Sequence, residues 1–384
     1  MALFWSLLGC LLASSAVAGV MTHEELVKRY PTPYIVGEKE TPTPVWPVYR
    51  QDATENRLVG YVFESIDFAP IPGFAGVPFN LLITLDPLGR FLDVKVLSQH
   101  EPVFVDGLGE APLNTFIDQY SGLSLKQNMR IVTGSHGAKN NSDESAQLDG
   151  ITKATASVHI INQTVLSSAL RVARKKLGFA EGRDPELMSR IKLDIFEPRT
   201  FQELTAARLI QHIILKNADV DKQFSGTIGQ GLDTDSAAHP QDTFIDLSIA
   251  YVSVPSIGRN LLGETAWKKL QDRLGPGDQA ILAMWKGRYD IIGENFIRGS
   301  ISDRIILKQD KFPIEMKDLN MDLELKSDPG LDSGVKVAVF KVNSQAGLDP
   351  AIPLEFVLPI TRYKGIIFPE KITRNFTFKF ELPA

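Results

Sequence analysis

Apolar residues alternate with polar ones over much of the chain and fall into helical stripes over only a few stretches. The clearest alternation lies in FNLLITLDPLGRFLDVKVLSQH, where two apolar runs flank Asp86-Pro87-Leu88-Gly89. Pro in second place presets φ, Asp in first place bonds the backbone ahead of it, and Gly in fourth place suits a type I turn. The segment therefore predicts a β-hairpin. In its second run Leu92, Val94 and Val96 share one face and Asp93 and Lys95 the other, as in a half-buried strand. In APLNTFIDQYSG, Leu113, Phe116, Ile117 and Tyr120 fall on one helical stripe, opened by Pro112 and stopped by Gly122. INQTVLSSALRVARKKLG predicts a longer helix, with Ile161, Val165, Ala169, Val172 and Ala173 on its stripe and Gly178 at its end. Arg171, Arg174, Lys175 and Lys176 gather near its C-terminus, where cations suit the helix dipole, and read most simply as a solvated helix end. TFQELTAARLIQHIILKNADV reads as another amphipathic helix.

Between these elements the pattern changes. YPTPYIVGEKETPTPVWPVYRQ is rich in Pro and reads as an extended lead-in, a strand or a strap across the first domain. SHGAKNNSDESAQ has no apolar period and reads as an exposed loop, and SGTIGQGLDTDSAAHPQD as a long flexible linker. Beyond the linker, IDLSIAYVSV, QAILAMW, VKVAVFKV, LEFVLPI and NFTFKFEL predict strands around one helix, GETAWKKLQDRLG. The expected fold class is α+β. Residues 1–18 form a leader, 19–58 the lead-in, 59–180 a first domain of antiparallel sheet with packed helices, 181–240 a helical connector and linker, and 241–384 a mostly β domain.

Composition narrows the chemistry. The 384 residues are 43% hydrophobic with a net charge of -5, which gives no electrostatic footprint for nucleic acid or an anionic membrane surface. No apolar run approaches the ~20 residues of a membrane-spanning helix. The opening ALFWSLLGCLLASSAVAG is apolar and uncharged and ends in the small-x-small pattern Ala16-Val17-Ala18, which predicts export with cleavage after Ala18. Cys10 is the sole cysteine and would leave with the leader. The mature chain would then hold no disulfide, iron–sulfur cluster or thiolate zinc, and any redox chemistry would come from a cofactor without Cys ligands. The histidines form no HxH or HxxxH pair, there is no GxSxG, and His159 reads as a structural histidine. Gly226, Gly229 and Gly231 lack the spacing of a phosphate loop and read as a hinge, with Asp233 and Asp235 in plain loop.

DGITKATAS, residues 149 to 157, concentrates hydroxyls ahead of the long helix: Thr152, Thr155 and Ser157 lie among small residues. A helix cap accounts for one of them. A tight small-residue turn leading into helix amides also suits an anion, with Ala154 and Ala156 leaving room for close approach. A phosphate near Thr155 would accept bonds from Thr152, Ser157 and the backbone.

The stretch resembles the D-x-x-[ST]-G-A-T-x-[ST] motif of the FMN-binding domain family. In that family a flavin transferase links FMN by a phosphoester to the last Thr of the core. The resemblance implies covalent FMN on Thr155, with Asp149, Thr152, Ala154 and Ser157 in the surrounding motif. Lys153 stands where Gly is usual; its side chain would either hinder the transferase or neutralise the phosphate. Glu101-Pro102 with Gly107 and Gly109, in EPVFVDGLG, is similar to the E-x-P-G-[LI]-G segment that lies against the flavin, and implies cofactor contacts by Glu101, Gly107 and Gly109. As a turn-capping carboxylate, Glu101 has an equally ordinary structural role.

A wider resemblance runs from about Gly60 to the end. GYVFESIDFAPIPGFAGVPFNLLITLDPLGRFLDVKVLSQHEPVFVDGLG, VPSIGRNLLGE, GRYDIIGENFIRG and SDRIILKQD are similar to the NosR/NirI family of nitrous oxide and nitrite respiration. Residues 59–180 would then be an FMN-binding domain that passes electrons in support of nitrous oxide reductase activity or maturation, without converting a substrate of its own. The implied partners are a flavin transferase, nitrous oxide reductase or its assembly factors, and a membrane-embedded redox region or partner. The implied location is the periplasm, with membrane association through a region or partner absent from this chain. The family continues into membrane helices and a ferredoxin-like part, whereas this sequence ends at FELPA, so an excised portion and a stand-alone relative both stay open. Two alternatives also stay open: a flavin-free sensor or interaction domain regulating denitrification, and the flavin subunit of another membrane redox complex.

Overall fold

The computed structural model describes residues 19–53, 55–132, 145–179, 187–293, 296–326, 334–365 and 370–383. The leader predicted over 1–18 lies outside them, as does most of the loop predicted over 135–147; its last three residues, Ser145, Ala146 and Gln147, belong to a strand.

The first part of the chain runs α1 (His23–Arg29), β1 (Tyr34–Val36), β2 (Val45–Gln51), β3 (Asn56–Glu64), β4 (Asn80–Leu85), β5 (Phe91–Ser98), α2 (Glu110–Asp118), β6 (Asn128–Val132), β7 (Ser145–Asp149) and α3 (Thr155–Lys176). Strands β1 to β5 form one antiparallel meander in sequence order, and the Pro-rich lead-in supplies its first two strands. Because side chains alternate along a strand, the sheet is apolar on both faces. Trp46, Val48, Val62 and Leu82 meet Leu26 of α1 on one side, and Val45, Phe63, Leu81 and Ile83 meet α2 and α3 on the other. The predicted hairpin is β4–β5: Asp86 Oδ1 accepts from the N–H groups of Leu88 and Arg90, and Gly89 takes φ 79°. A register shift at Leu85 turns Phe91 into the core and leaves Leu92 exposed, not inward as its alternation predicted. β6 and β7 pair in parallel. The α3 stripe is fully buried at Ile161, Val165, Ala169, Val172 and Ala173.

The second part runs α4 (Phe201–Ala206), β8 (Ile210–Lys216), α5 (Asn217–Phe224), α6 (Thr234–Ala238), β9 (Thr243–Tyr251), α7 (Pro255–Gln271), β10 (Gln279–Lys286), β11 (Ile306–Gln309), β12 (Phe312–Ile314), β13 (Lys317–Asp318), β14 (Lys336–Val342), β15 (Leu354–Lys364) and β16 (Glu370–Phe380). Two antiparallel sheets, β13-β14-β10-β9-β8 and β12-β11-β15-β16, share one core. The chain is thus mixed α and β with several antiparallel sheets.

Several expectations need correction. The single helix read over 200–220 is helix, strand and helix: Arg208 sits at φ 58°, which ends α4, and β8 then pairs with β9 along its length. The segment read as a flexible linker is packed. Arg362 Nη1 donates to the Gly229 carbonyl at 3.1 Å, while Arg288 pairs with Asp233 at 2.5 Å and Asp235 at 2.9 Å. The helix around GETAWKKLQ begins earlier, at Pro255, and kinks at Gly263, whose φ of 73° is non-helical. The basic end of α3 is not a solvated cap. Arg174 is buried against Asp310 at 3.2 Å and donates to the Gly347 carbonyl at 2.7 Å, Arg171 bonds Phe68 and Gln345, and Lys176 pairs with Glu40. These charges tie α3 to the lead-in and to the second part of the chain, and Phe179 stacks edge-on against Phe312 beside them.

Candidate functional site

The turn into α3 explains the composition of DGITKATAS. Asp149 ends β7 in exposed backbone clasped by Gln119: the Gln119 amide donates to the Asp149 carbonyl at 3.0 Å and accepts from its N–H at 2.8 Å. The chain then turns through Ile151 to Ala154, closed by the Ala154 N–H on the Ile151 carbonyl at 3.1 Å. Lys153, inside this turn, has φ 71°. That left-handed conformation is the one glycine adopts freely and other residues adopt at a cost of about 1–2 kcal/mol.

Ala154, not a Ser or Thr, occupies the N-cap of α3, and no side chain caps this helix. Thr152 and Thr155 are exposed and Ala154 is buried. The first-turn N–H groups of a 22-residue helix are therefore without a side-chain cap beside an exposed threonine, at the positive end of the helix dipole. Such a turn holds an anion, and an exposed hydroxyl in its first residue can carry an ester. The residues present thus fit a phosphate-linked group.

Ser157 is placed differently. It is buried and its hydroxyl donates to Glu101 Oε2 at 2.5 Å; Glu101 Oε1 accepts from the Ala75 N–H at 3.2 Å. Glu101 is itself buried, and Gly73 permits this closure, since a Cβ there would lie 2.2 Å from Glu101 Oε1. The structure brings Glu101 to the motif, but as a clamp that ties three segments together. Beyond it, Val103–Leu108 forms a π-helical turn that contains exposed Gly107, and Gly109, at φ 75°, redirects the chain into α2. The loops that meet at Glu101 expose Phe74, Val77 and Val105, with Phe74 81% accessible. Nothing in their sequence pattern marked these three; only the fold shows large apolar side chains left in water next to the motif.

A second feature lies along the same helix. A cavity of about 260 Å³ separates α3 from the β11–β13 segment, with Ala156, His159 and Gln163 on one wall and Phe312, Glu315 and Met316 on the other. Oε2 of Glu315 is sealed from solvent and has no hydrogen-bond partner. Asn162 bonds its carboxyl, and Asn162 Oδ1 in turn accepts from the Tyr120 hydroxyl at 2.8 Å. Burial pushes the Glu315 carboxyl up to about 7, against the opposing effects of Lys317, the Asn162 bond and Lys341. Burial also lowers His159, with Lys317 adding to the effect. Among the described residues, no three His, Cys, Asp or Glu side chains gather as a metal site, and no helix is long and apolar enough to cross a membrane.

The chain is 34% identical over 337 residues to the regulatory protein NosR of Stutzerimonas stutzeri, covering 85% of this chain and 44% of that protein. Against the regulatory protein NosR of Pseudomonas aeruginosa it is 30% identical over 313 residues, 80% of this chain and 42% of the relative. The chain belongs to the NosR/NirI family. Protein NirI of Paracoccus denitrificans is 26% identical over 335 residues, 86% of this chain and 45% of that protein. No family model matches. This NosR/NirI chain spans less than half the length of the relatives it matches, and the aligned region is long enough to take in both parts of the fold.

Proposed function

We propose that this chain is the exported, flavin-bearing portion of a NosR/NirI protein. Its first part would be an FMN-binding domain with FMN esterified to Thr155, passing electrons in support of nitrous oxide reductase activity or maturation. The second part would act as scaffold or docking surface for that system, and membrane attachment would come from a region or partner outside this chain.

The observation that carries the reading is the backbone at Lys153. Where the motif usually has glycine, the turn takes the left-handed conformation that glycine serves. The local shape fits the motif although the residue differs. Thr155 is exposed in an uncapped first turn, where a transferase could reach it, and the helix amides and the Lys153 ammonium would offset the phosphate charge. Glu101 and Ser157 fix the helix against the loop of Gly73 to Val77, which holds Phe74 and Val77 outward as apolar surface for a flat ring. When bound, FMN supplies redox chemistry that a thiol-free polypeptide lacks.

Co-expression with a flavin transferase, followed by denaturation and mass analysis, tests the reading. We expect yellow colour that survives unfolding, a mass gain of one FMN less water on the peptide spanning 149–174, and loss of both in Thr155→Ala. A colourless protein with that peptide unmodified overturns the reading and favours the flavin-free sensor, which the Lys153 side chain and the engaged Ser157 hydroxyl would suit.

A further inference from the structure

Three consecutive backbone N–H groups at residues 19 to 21 converge on two carboxylates at the end of β3. Gly19 N donates to Asp67 Oδ1, Val20 N to Glu64 Oε2 and Met21 N to Glu64 Oε1, each at 2.8 Å. Asn80 Nδ2 adds a bond to Glu64 Oε2 at 2.6 Å. Glu64 is completely buried and the Asp67 side chain is only 9% accessible. Lys39 Nζ lies 3.0 Å from Asp67 Oδ2 and over the Trp46 ring, and balances one of the two charges. Glu64 is held by neutral donors, an expensive arrangement for a buried carboxylate.

Position 19 is built for glycine. A Cβ there would lie 2.4 Å from Glu64 Oε1 and 2.9 Å from Asp67 Oδ2. The two carboxylates occupy the space that a side chain at this position would need. The small-x-small pattern Ala16-Val17-Ala18 puts the leader cut at the bond that joins the Gly19 nitrogen to the preceding residue.

We propose that Glu64 and Asp67 form a receptor for the α-ammonium of Gly19, created when a leader peptidase hydrolyses the Ala18–Gly19 bond. Water supplies the second reactant. The C–N bond breaks, the water oxygen stays on Ala18 as carboxylate, and the Gly19 nitrogen leaves with three protons as –NH3+. One amide donor thereby becomes a charged group with three donors, bonded to Asp67 and beside Glu64, the carboxylate that lacks a counter-charge, and charge-assisted bonds are about twice as strong as neutral ones. The gain acts on the fold through the residues that follow. Met21 packs on the Trp46 and Val48 cluster, Thr22 caps α1, and Leu26 of α1 is fully buried in that same cluster. Processing would thus lock the lead-in over the outer face of the sheet. The inference stands apart from the flavin reading.

The test uses the full chain from residue 19 behind a removable tag, cut by a protease that leaves Gly19 first. Melting is measured before and after cutting, in the wild type and in Asp67→Asn, and the exported natural form is sequenced from its N-terminus. We expect Gly19 as the first residue, a melting temperature raised by about 2 °C on cutting, and most of that rise lost in Asp67→Asn. Equal melting of tagged and cut wild type, or an exported chain beginning elsewhere, overturns the proposal.

Discussion

Replacing Glu315 by Gln should stabilise the protein at neutral pH and leave it unchanged in acid. The carboxyl sits with one oxygen sealed and unbonded, and burial raises it from its ordinary 4.5 to about 7. Between those values the folded chain holds a proton that the unfolded chain has released. Stability therefore falls as pH climbs from about 4.5 to about 7 and is flat in this group's contribution on either side. A difference of two and a half pH units corresponds to ~3 kcal/mol at 1.36 kcal/mol per unit. That is a large share of the ~5–15 kcal/mol that separates folded from unfolded domains.

Gln is the right probe because it keeps the shape and a hydrogen-bonding group for Asn162 while losing the ionisation; Leu would strand the amide that now bridges to Tyr120. Urea unfolding of both proteins from pH 4 to pH 8 gives the readout. The wild-type curve should fall relative to the variant by up to ~3 kcal/mol between pH 4.5 and 7, then run parallel to it above. Parallel curves across the whole range would refute the assignment of a neutral carboxyl to this cavity.

Three further outcomes follow from single contacts. Lys153→Gly should leave stability level or raise it by up to ~1 kcal/mol, since relief of left-handed strain is partly offset by glycine's unfolded-state entropy, whereas Lys153→Val should lower it by at least as much; denaturant midpoints decide both. Arg174→Ala should cost about 3 kcal/mol by taking the buried guanidinium away from Asp310 and the Gly347 carbonyl, and adding Asp310→Asn should recover part of it, as read by a double-mutant cycle in urea. Glu101→Ala should lower stability by ~1–3 kcal/mol, because it strands the buried Ser157 hydroxyl and the Ala75 N–H together; a loss below ~0.5 kcal/mol in thermal or urea melts would mean that the clamp contributes nothing.

What the sequence made legible was local. The turn at Asp86 to Gly89 carries its chemistry within four residues, and the stripe of α3 repeats from Ile161 to Ala173, so both were readable without neighbours. Strand β8 was not. Ile213, Ile214 and Leu215 fit a helical stripe as well as a strand, and the left-handed turn at Arg208 together with pairing to β9 decided between them. Ile214 is left 52% accessible on the edge strand, an outcome no amphipathic helix pattern implies. The basic end of α3 failed for the same reason. A dipole argument sees only the helix, while Asp310 lies 136 residues away.

The candidate site divides along that line too. Thr152, Thr155 and the turn around them are contiguous, and a nine-residue pattern sufficed to single them out. Glu101 reached the site through a resemblance, but its partner Ser157 is 56 residues distant, and only the fold reveals that the two spend their polar groups on each other. This changes the chemistry available to the motif. With Ser157 turned inward, a phosphate at Thr155 would rely on backbone amides, Thr152 and Lys153, the cationic side chain of DGITKATAS and the residue that departs from the family pattern. A substitution that keeps its backbone conformation but removes its charge, Lys153→Asn, therefore separates the two effects of this residue. If Lys153 hinders the transferase, Asn should raise the flavinylated fraction; if it neutralises phosphate, Asn should lower it while stability stays within about 0.5 kcal/mol of wild type. An unchanged fraction would show that neither effect operates.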